Sequence, residues 1–274
     1  MARWQPAERN ARYFKARAAG RPVVVSEGDS WFDYPMYENI IDLIDDQRRF
    51  AIKRLEYSGD TVTHMVGDGS SGSGVDSIRT VVLSERPRFL LFSGGGNDII
   101  GEEFTGAARH YDAGQTAEWH LDTPVWRALK GGVAKGYTTL IETIGPHAPV
   151  IAHGYDFIIP SDRPAKYDGV SVSGPWVWPE LARNEITDAM MVEIGRVMIN
   201  WFNDLLARLE MKYADRGYFG HVDLRGTLGA NQWENEIHPT KTGFERVAAA
   251  FTAQMDAKLP ALIQAHDAEH MGIA

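Results

Sequence analysis

Short apolar runs alternating with helix-like stretches predict an α/β fold: a central, mostly parallel five-stranded sheet covered by helices on both faces. Three observations carry this expectation. Runs such as Val23-Val24-Val25 and Phe89-Leu90-Leu91-Phe92 are apolar without alternation, as strands buried on both sides are. Between such runs lie segments whose apolar residues recur every three to four positions, the mark of an amphipathic helix. The polar, glycine-containing motifs fall just after the strands, where the loops of a parallel sheet gather a site.

In chain order, residues 1–21 carry Arg3, Arg9, Arg12, Lys15, Arg17 and Arg21 against one acid, Glu8. No apolar stretch follows these charges, so they do not form a secretory signal. Pro6 suits a first helical turn and Gly20 a stop, which makes 1–20 a surface helical extension; an Arg-rich targeting peptide is the rival reading. Val23–Val25 is the first strand, followed by a turn and a helix near 37–46. Residues 50–57 read as the second strand, 76–84 as a helix, and 88–92 as a third strand running into Gly94-Gly95-Gly96. A long helix over 125–144 ends at Gly145-Pro146, and 150–152 is the fourth strand. The clearest helix covers 186–209, where Ile186, Met190, Ile194, Val197, Met198, Trp201, Leu205 and Leu209 share one face. Residues 221–224 form the fifth strand and 242–263 the last helix. Gly67–Gly74 is a flexible loop by composition. No repeat and no Pro- or Ser-rich linker divides the chain, so 1–274 is expected to be one domain. Its core covers about 22–256, with inserts at 101–122 and 161–183.

Composition narrows the function. A chain of 274 residues buries a sizeable core without staples, and it contains no Cys, which removes disulfides, thiolate nucleophiles and Cys-ligated metals. A net charge of −9 argues against a phosphate-backbone surface, so no nucleic-acid partner is expected. No apolar run approaches the roughly 18 residues that span a bilayer. A cytoplasmic location is favoured, with no signal peptide in the sequence.

Four motifs carry chemistry. In Gly28-Asp29-Ser30-Trp31, a Ser directly after a buried strand presents its hydroxyl at the sheet top, although Asp29 or Ser30 would equally cap a helix. In Ser58-Gly59-Asp60, Gly59 offers an unobstructed backbone N–H, or simply starts a helix. In Gly94-Gly95-Gly96-Asn97-Asp98, the glycines allow close approach of a substrate, and Asn97 is a carboxamide able to donate to an oxyanion. The alternative is a tight turn with a capping Asn; no Gly-Lys-Ser/Thr follows, so a phosphate loop is disfavoured. In Asn235-Glu236-Ile237-His238-Pro239, the imidazole is a base for Ser30 or a surface turn residue. The elbow Gly-x-Ser-x-Gly is absent. His64, His110, His120, His147, His153 and His221 show no metal-binding spacing, so structural roles and no metal are expected.

Taken in order along the chain, these motifs resemble the SGNH hydrolases, the GDSL esterase/lipase family, with Ser30, Gly59, Asn97 and His238 at the four eponymous positions and the likeness covering 22–256. The resemblance implies a flavodoxin-like three-layer α/β/α sandwich and cofactor-independent ester hydrolysis through an acyl-enzyme. It implies an oxyanion hole of Ser30, Gly59 and Asn97. The sequence departs from the pattern twice. Trp31 stands where the family has Leu, a change expected to narrow an acyl pocket. The family's Asp three residues before the His is Asn235 here. An Asn oxygen can fix the imidazole tautomer but cannot balance an imidazolium by charge. Glu236 is the rival third member, and Asp156 a more distant one. Trp176 and Trp178, in the insert 161–183, are candidates for lining the substrate. Short-chain acyl esters or acetylated sugars are the expected substrates, a small molecule or carbohydrate ester in either case. An acyltransferase on the same site and a non-catalytic binding module are the alternatives.

Overall fold

A computed structural model describes residues 6–67 and 74–271; residues 68–73 of the expected loop lie outside the described residues. The elements are α1 (Pro6–Ala18), β1 (Val23–Gly28), α2 (Ile40–Asp46), β2 (Ala51–Arg54), α3 (Val62–Val66), α4 (Gly74–Glu85) and β3 (Leu90–Ser93). They continue with α5 (Ala117–Leu121), α6 (Pro124–Ile144), β4 (Val150–His153), β5 (Ala165–Tyr167), β6 (Val170–Ser173), α7 (Trp178–Arg183), α8 (Asp188–Tyr213), β7 (Phe219–Val222) and α9 (Lys241–His270).

Five strands form one parallel sheet in the order β2-β1-β3-β4-β7, so the fold is the expected α/β sandwich. Leu90 in β3 pairs with Val25 on one side and Val150 on the other, and Val150 pairs with Phe219. β3, β4 and β7 are buried along their whole length, which explains why their sequences are mainly apolar without alternation; Ser93, His153 and His221 are their polar residues. α2 packs with α9, while α3 and α4 pack with α6. The α6 ring of Tyr137 meets Phe202 of α8 edge to face. α6 begins where Thr123 Oγ1 accepts the Trp126 N–H at 3.1 Å and Pro124 fills the first turn. Its buried face (Trp126, Val133, Tyr137, Leu140, Ile141, Ile144) is helically spaced. The chain leaves β1 for β2 on one side and returns to β3 on the other, so the carboxyl ends of β1 and β3 flank a switch point of the sheet.

Several boundaries differ from the expectation. β1 extends to Gly28, β2 stops at Arg54, and β7 lies at 219–222 rather than 221–224, because Tyr218 and Phe219 are also buried. The inserts are not plain loops: 101–122 contains α5, and 161–183 contains the antiparallel hairpin β5–β6 and α7. These pieces are too short to show a period. The N-terminal helix lies on the surface, as expected, and packs one face on the edge of the sheet. Tyr13 and Ala16 are buried with Ala51 of β2, Arg9 pairs with Asp33 at 2.6 Å, and Arg12 reaches Asp45 and Asp46. Among the described residues no helix is long and apolar enough to cross a membrane.

Candidate active site

The turn after β1 is set by two close approaches. A Cβ on Gly28 would lie 2.6 Å from the Ser93 carbonyl oxygen, so only glycine lets β1 meet β3 here. The carbonyl of Asp29 then accepts the N–H groups of Phe32 and Asp33 at 3.0 and 2.9 Å, and this tight turn carries Ser30 at the sheet top. Ser30 Oγ lies 2.8 Å from His238 Nε2, across 208 positions of chain. Trp31 Nε1 donates to the Ile237 carbonyl at 3.2 Å, fastening the serine turn to the histidine loop.

Asn235 orders that loop. Its Oδ1 accepts the backbone N–H groups of Ile237 and His238 at 3.1 and 2.9 Å and lies 3.1 Å from His238 Nδ1. Two backbone donors fix the amide with its oxygen toward the ring. His238 Nδ1 must therefore carry the proton, which leaves the Nε2 lone pair facing Ser30 Oγ. The ring is held between Tyr34 (centroids 4.5 Å apart) and Trp176 (5.3 Å, edge to face). Burial pushes the His238 pKa down to about 3, with no carboxylate beside it to oppose the shift. Among the described residues, Asn235 Nδ2 and the Tyr34 hydroxyl are both buried without a hydrogen-bond partner. They are near enough for the amide to act on the phenol, whose pKa burial raises to about 12.

Gly59 has φ +89°, a conformation favouring glycine, and none of the described residues lies within 4 Å of where a Cβ would be. Its backbone is thus open to an incoming group. Asn97 Nδ2 donates one N–H to the Asp60 carbonyl at 2.8 Å, leaving its second N–H available. The β3 loop is held over the β2 loop by Asp98, a residue given no role by the sequence. Its carboxylate accepts the N–H groups of Val62 and Thr63 at 2.7 and 3.1 Å, at the start of α3.

Other expectations need correction. Glu236 makes no bond to His238: its carboxylate accepts the backbone N–H groups of Trp176, Val177 and Trp178 at 2.5, 2.9 and 2.7 Å. Burial raises its pKa, and these donors oppose the rise. Asp156 is committed to the N–H groups of Gly226 and Leu228, each at 2.6 Å. Trp178 starts α7 and does not line the cleft, whereas Trp176 does. Among the described residues no three His, Asp or Glu side chains gather as a metal site.

Two spaces meet at Ser30 and Asn97. The outer cleft, of about 100 Å³, lies between Tyr34, Met36, Gly59, Val172, Trp176 and His238. The inner one, of about 30 Å³, is apolar and is walled by Trp31, Ile99, Ile100, Ile158, Met198 and Ile199.

No family model matches the chain, and no curated protein sequence does. Several solved structures are similar to it, among them the following three. A member of the lipolytic protein G-D-S-L family from Veillonella parvula is 14% identical with a TM-score of 0.47, covering 84% of this chain and 96% of that one. A GDSL-like lipase from Bacteroides ovatus is 10% identical with a TM-score of 0.47, covering 88% of this chain and 54% of the other, so the match takes in about half of that protein. AlinE4, an SGNH-hydrolase family esterase, is 14% identical with a TM-score of 0.39, covering 88% and 97%.

Proposed function

We propose that the protein is a serine esterase of the SGNH type, acting on carboxylic esters with short acyl groups. The observation that carries this reading is the hydrogen-bonded series Ser30 Oγ, His238 Nε2, His238 Nδ1 and Asn235 Oδ1, with the tautomer that a base requires. His238 takes the Ser30 proton as Oγ attacks the ester carbonyl. The oxyanion is held by the backbone N–H groups of Ser30 and Gly59 and the free N–H of Asn97. Protonated His238 gives its proton to the leaving alkoxide, and acyl-Ser30 remains. Water, deprotonated by His238, attacks the acyl carbon, and the acid leaves as His238 returns that proton to Ser30 Oγ. The reading is tested by incubating the protein with a fluorophosphonate and with p-nitrophenyl acetate. Covalent labelling at Ser30 together with turnover supports it, and a protein that does neither is a binding module instead.

Asn235 is the third member in this reading, acting through its oxygen dipole rather than a charge. Asn235→Ala is expected to lower kcat about 10²-fold, the low end of what a positioned general base contributes, because the ring loses the acceptor that fixes its tautomer. Glu236→Ala is expected to raise KM more than it lowers kcat, since it frees the Trp176 wall. A larger kcat loss for Glu236→Ala than for Asn235→Ala would reverse these roles. The pH profile gives a second check. Activity needs neutral His238, so it fails as pH falls through the histidine pKa, which burial places below the ordinary 6.5. Asn235→Asp adds a negative charge beside the ring, raises that pKa, and moves the acid limb of kcat/KM to higher pH.

The inner space supports a short acyl group. About 30 Å³ accommodates roughly one or two carbon atoms. The outer cleft, with Trp176 in its wall, suits the alcohol, including a sugar ring stacked on the indole. Met198→Ala is expected to shift preference among p-nitrophenyl esters from acetate toward butyrate and hexanoate. Unchanged chain-length ranking would place the acyl group elsewhere.

A further inference from the structure

Asp29, the residue before Ser30, is buried and takes no part in the proton path of the proposed reaction. Its Oδ1 accepts the Trp31 N–H at 3.0 Å and lies 2.7 Å from Ser93 Oγ, while its Oδ2 accepts the Tyr155 hydroxyl. Ser93 Oγ also lies 2.8 Å from His153 Nε2, and His153 Nδ1 lies 2.8 Å from the Gly154 carbonyl oxygen. His153 is fully enclosed, with the rings of Trp31, Phe32, Tyr155 and Phe251 against it.

The protons of this series can be counted. A carbonyl oxygen only accepts, so His153 Nδ1 carries a proton. The two other gaps, from Nε2 to Oγ and from Oγ to Oδ1, need one proton each. The Ser93 hydroxyl supplies one. The second comes either from a protonated Asp29 facing neutral His153, or from an imidazolium facing a carboxylate. Both arrangements hold the same number of protons, and in both the His153–Asp29 pair has no net charge. Burial raises the Asp29 pKa and lowers that of His153 to about 4, which favours the first arrangement. The other titratable groups facing Asp29 are Tyr137, Tyr155 and Asp98, none of which brings positive charge.

We propose that His153 and Ser93 are positioning residues that keep one proton on the Asp29 network, so that no net negative charge sits beneath the place where the ester oxygen becomes an anion. The inference rests on Ser30 being the nucleophile. A bare carboxylate one residue away, in a poorly solvated interior, would oppose the oxyanion that Gly59 and Asn97 stabilise.

The test is a rescue. In His153→Phe, Ser93, Trp31 and Tyr155 can all still donate to Asp29, but its charge is uncompensated. kcat is expected to fall about 10- to 100-fold at mildly alkaline pH with KM little changed, and to recover as pH is lowered and Asp29 takes up a proton. Adding Asp29→Asn to that background removes the charge. The amide oxygen accepts from Ser93 and Trp31, and the amide nitrogen donates to the Tyr155 oxygen. Recovery of most of the lost kcat supports the proposal, since a packing role for His153 would not be repaired by an amide at 29. A double variant no more active than His153→Phe overturns it. Should His153→Phe alone fail to fold, the double variant must fold, and failure of both overturns the proposal. If a fluorophosphonate does not label the wild-type protein, the esterase reading has failed instead. Thermal melting then carries the test: the double variant must melt above His153→Phe at mildly alkaline pH, and an equal or lower Tm overturns the proposal.

Discussion

Replacing Ser30 with alanine is expected to lower p-nitrophenyl acetate turnover by about 10⁵-fold or more, the scale on which losing the nucleophile of a serine hydrolase acts. The loss should fall on kcat, because the side chain removed makes and breaks the bond to the acyl carbon. Among the described residues Ser30 Oγ has one partner, His238 Nε2, and deleting it leaves that nitrogen without its bond in a buried pocket. A stability cost of about 1–3 kcal/mol is therefore expected from the unpaired nitrogen, small enough to keep the fold. Circular dichroism and a melting curve check that point, and mass spectrometry after fluorophosphonate treatment should find no adduct. Turnover near the wild-type level would remove Ser30 from its role and the proposed reaction with it.

Asn97→Ala is expected to have the next largest effect, about 10²- to 10³-fold in kcat. The amide has two N–H groups, one tied to the Asp60 carbonyl and one free for the oxyanion. The tie holds the free donor in place before substrate arrives, so the interaction requires no reorganisation as charge develops. KM should change much less than kcat, because the carbonyl oxygen of the ground state carries little charge. Asp98 keeps the loop anchored to Val62 and Thr63 in the variant, so the backbone around position 97 should persist. A loss confined to KM would mean that Asn97 binds substrate without stabilising the transition state.

The sheet was legible in the sequence because strands buried on both faces have no freedom to alternate. Leu90, Leu91 and Phe92 could hardly be anything else beside Val150, Ile151 and Ala152. The hairpin β5–β6 was not legible. Its residues from Val170 to Ser173 are exposed, so no burial pattern marks them. The positions of Ser30, Asn97 and His238 could be read from their order along the chain, and spacing put Asn235 ahead of Glu236 beside the imidazole, but the work of Glu236 could not be read. The backbone donors that claim the Glu236 carboxylate lie 58 to 60 positions away, and only the folded insert brings them there. The same holds for His153. Its spacing suggested nothing, and its meaning comes from Ser93, 60 positions distant, and from Asp29 beyond it.

Adjacent residues of one loop therefore grip two different things: Asn235 the base, Glu236 the tryptophan wall. Swinging that wall aside would break three bonds from backbone N–H groups to a buried carboxylate, at about 1.5–3 kcal/mol each. It would also pull on the base through the shared backbone. If the proposed reaction holds, the gate is tied to the catalytic base, and an ester would be sized to a standing doorway rather than admitted by a hinge. Discrimination between esters would then fall to the contours of that aperture, to be retuned by carving its walls rather than by loosening them.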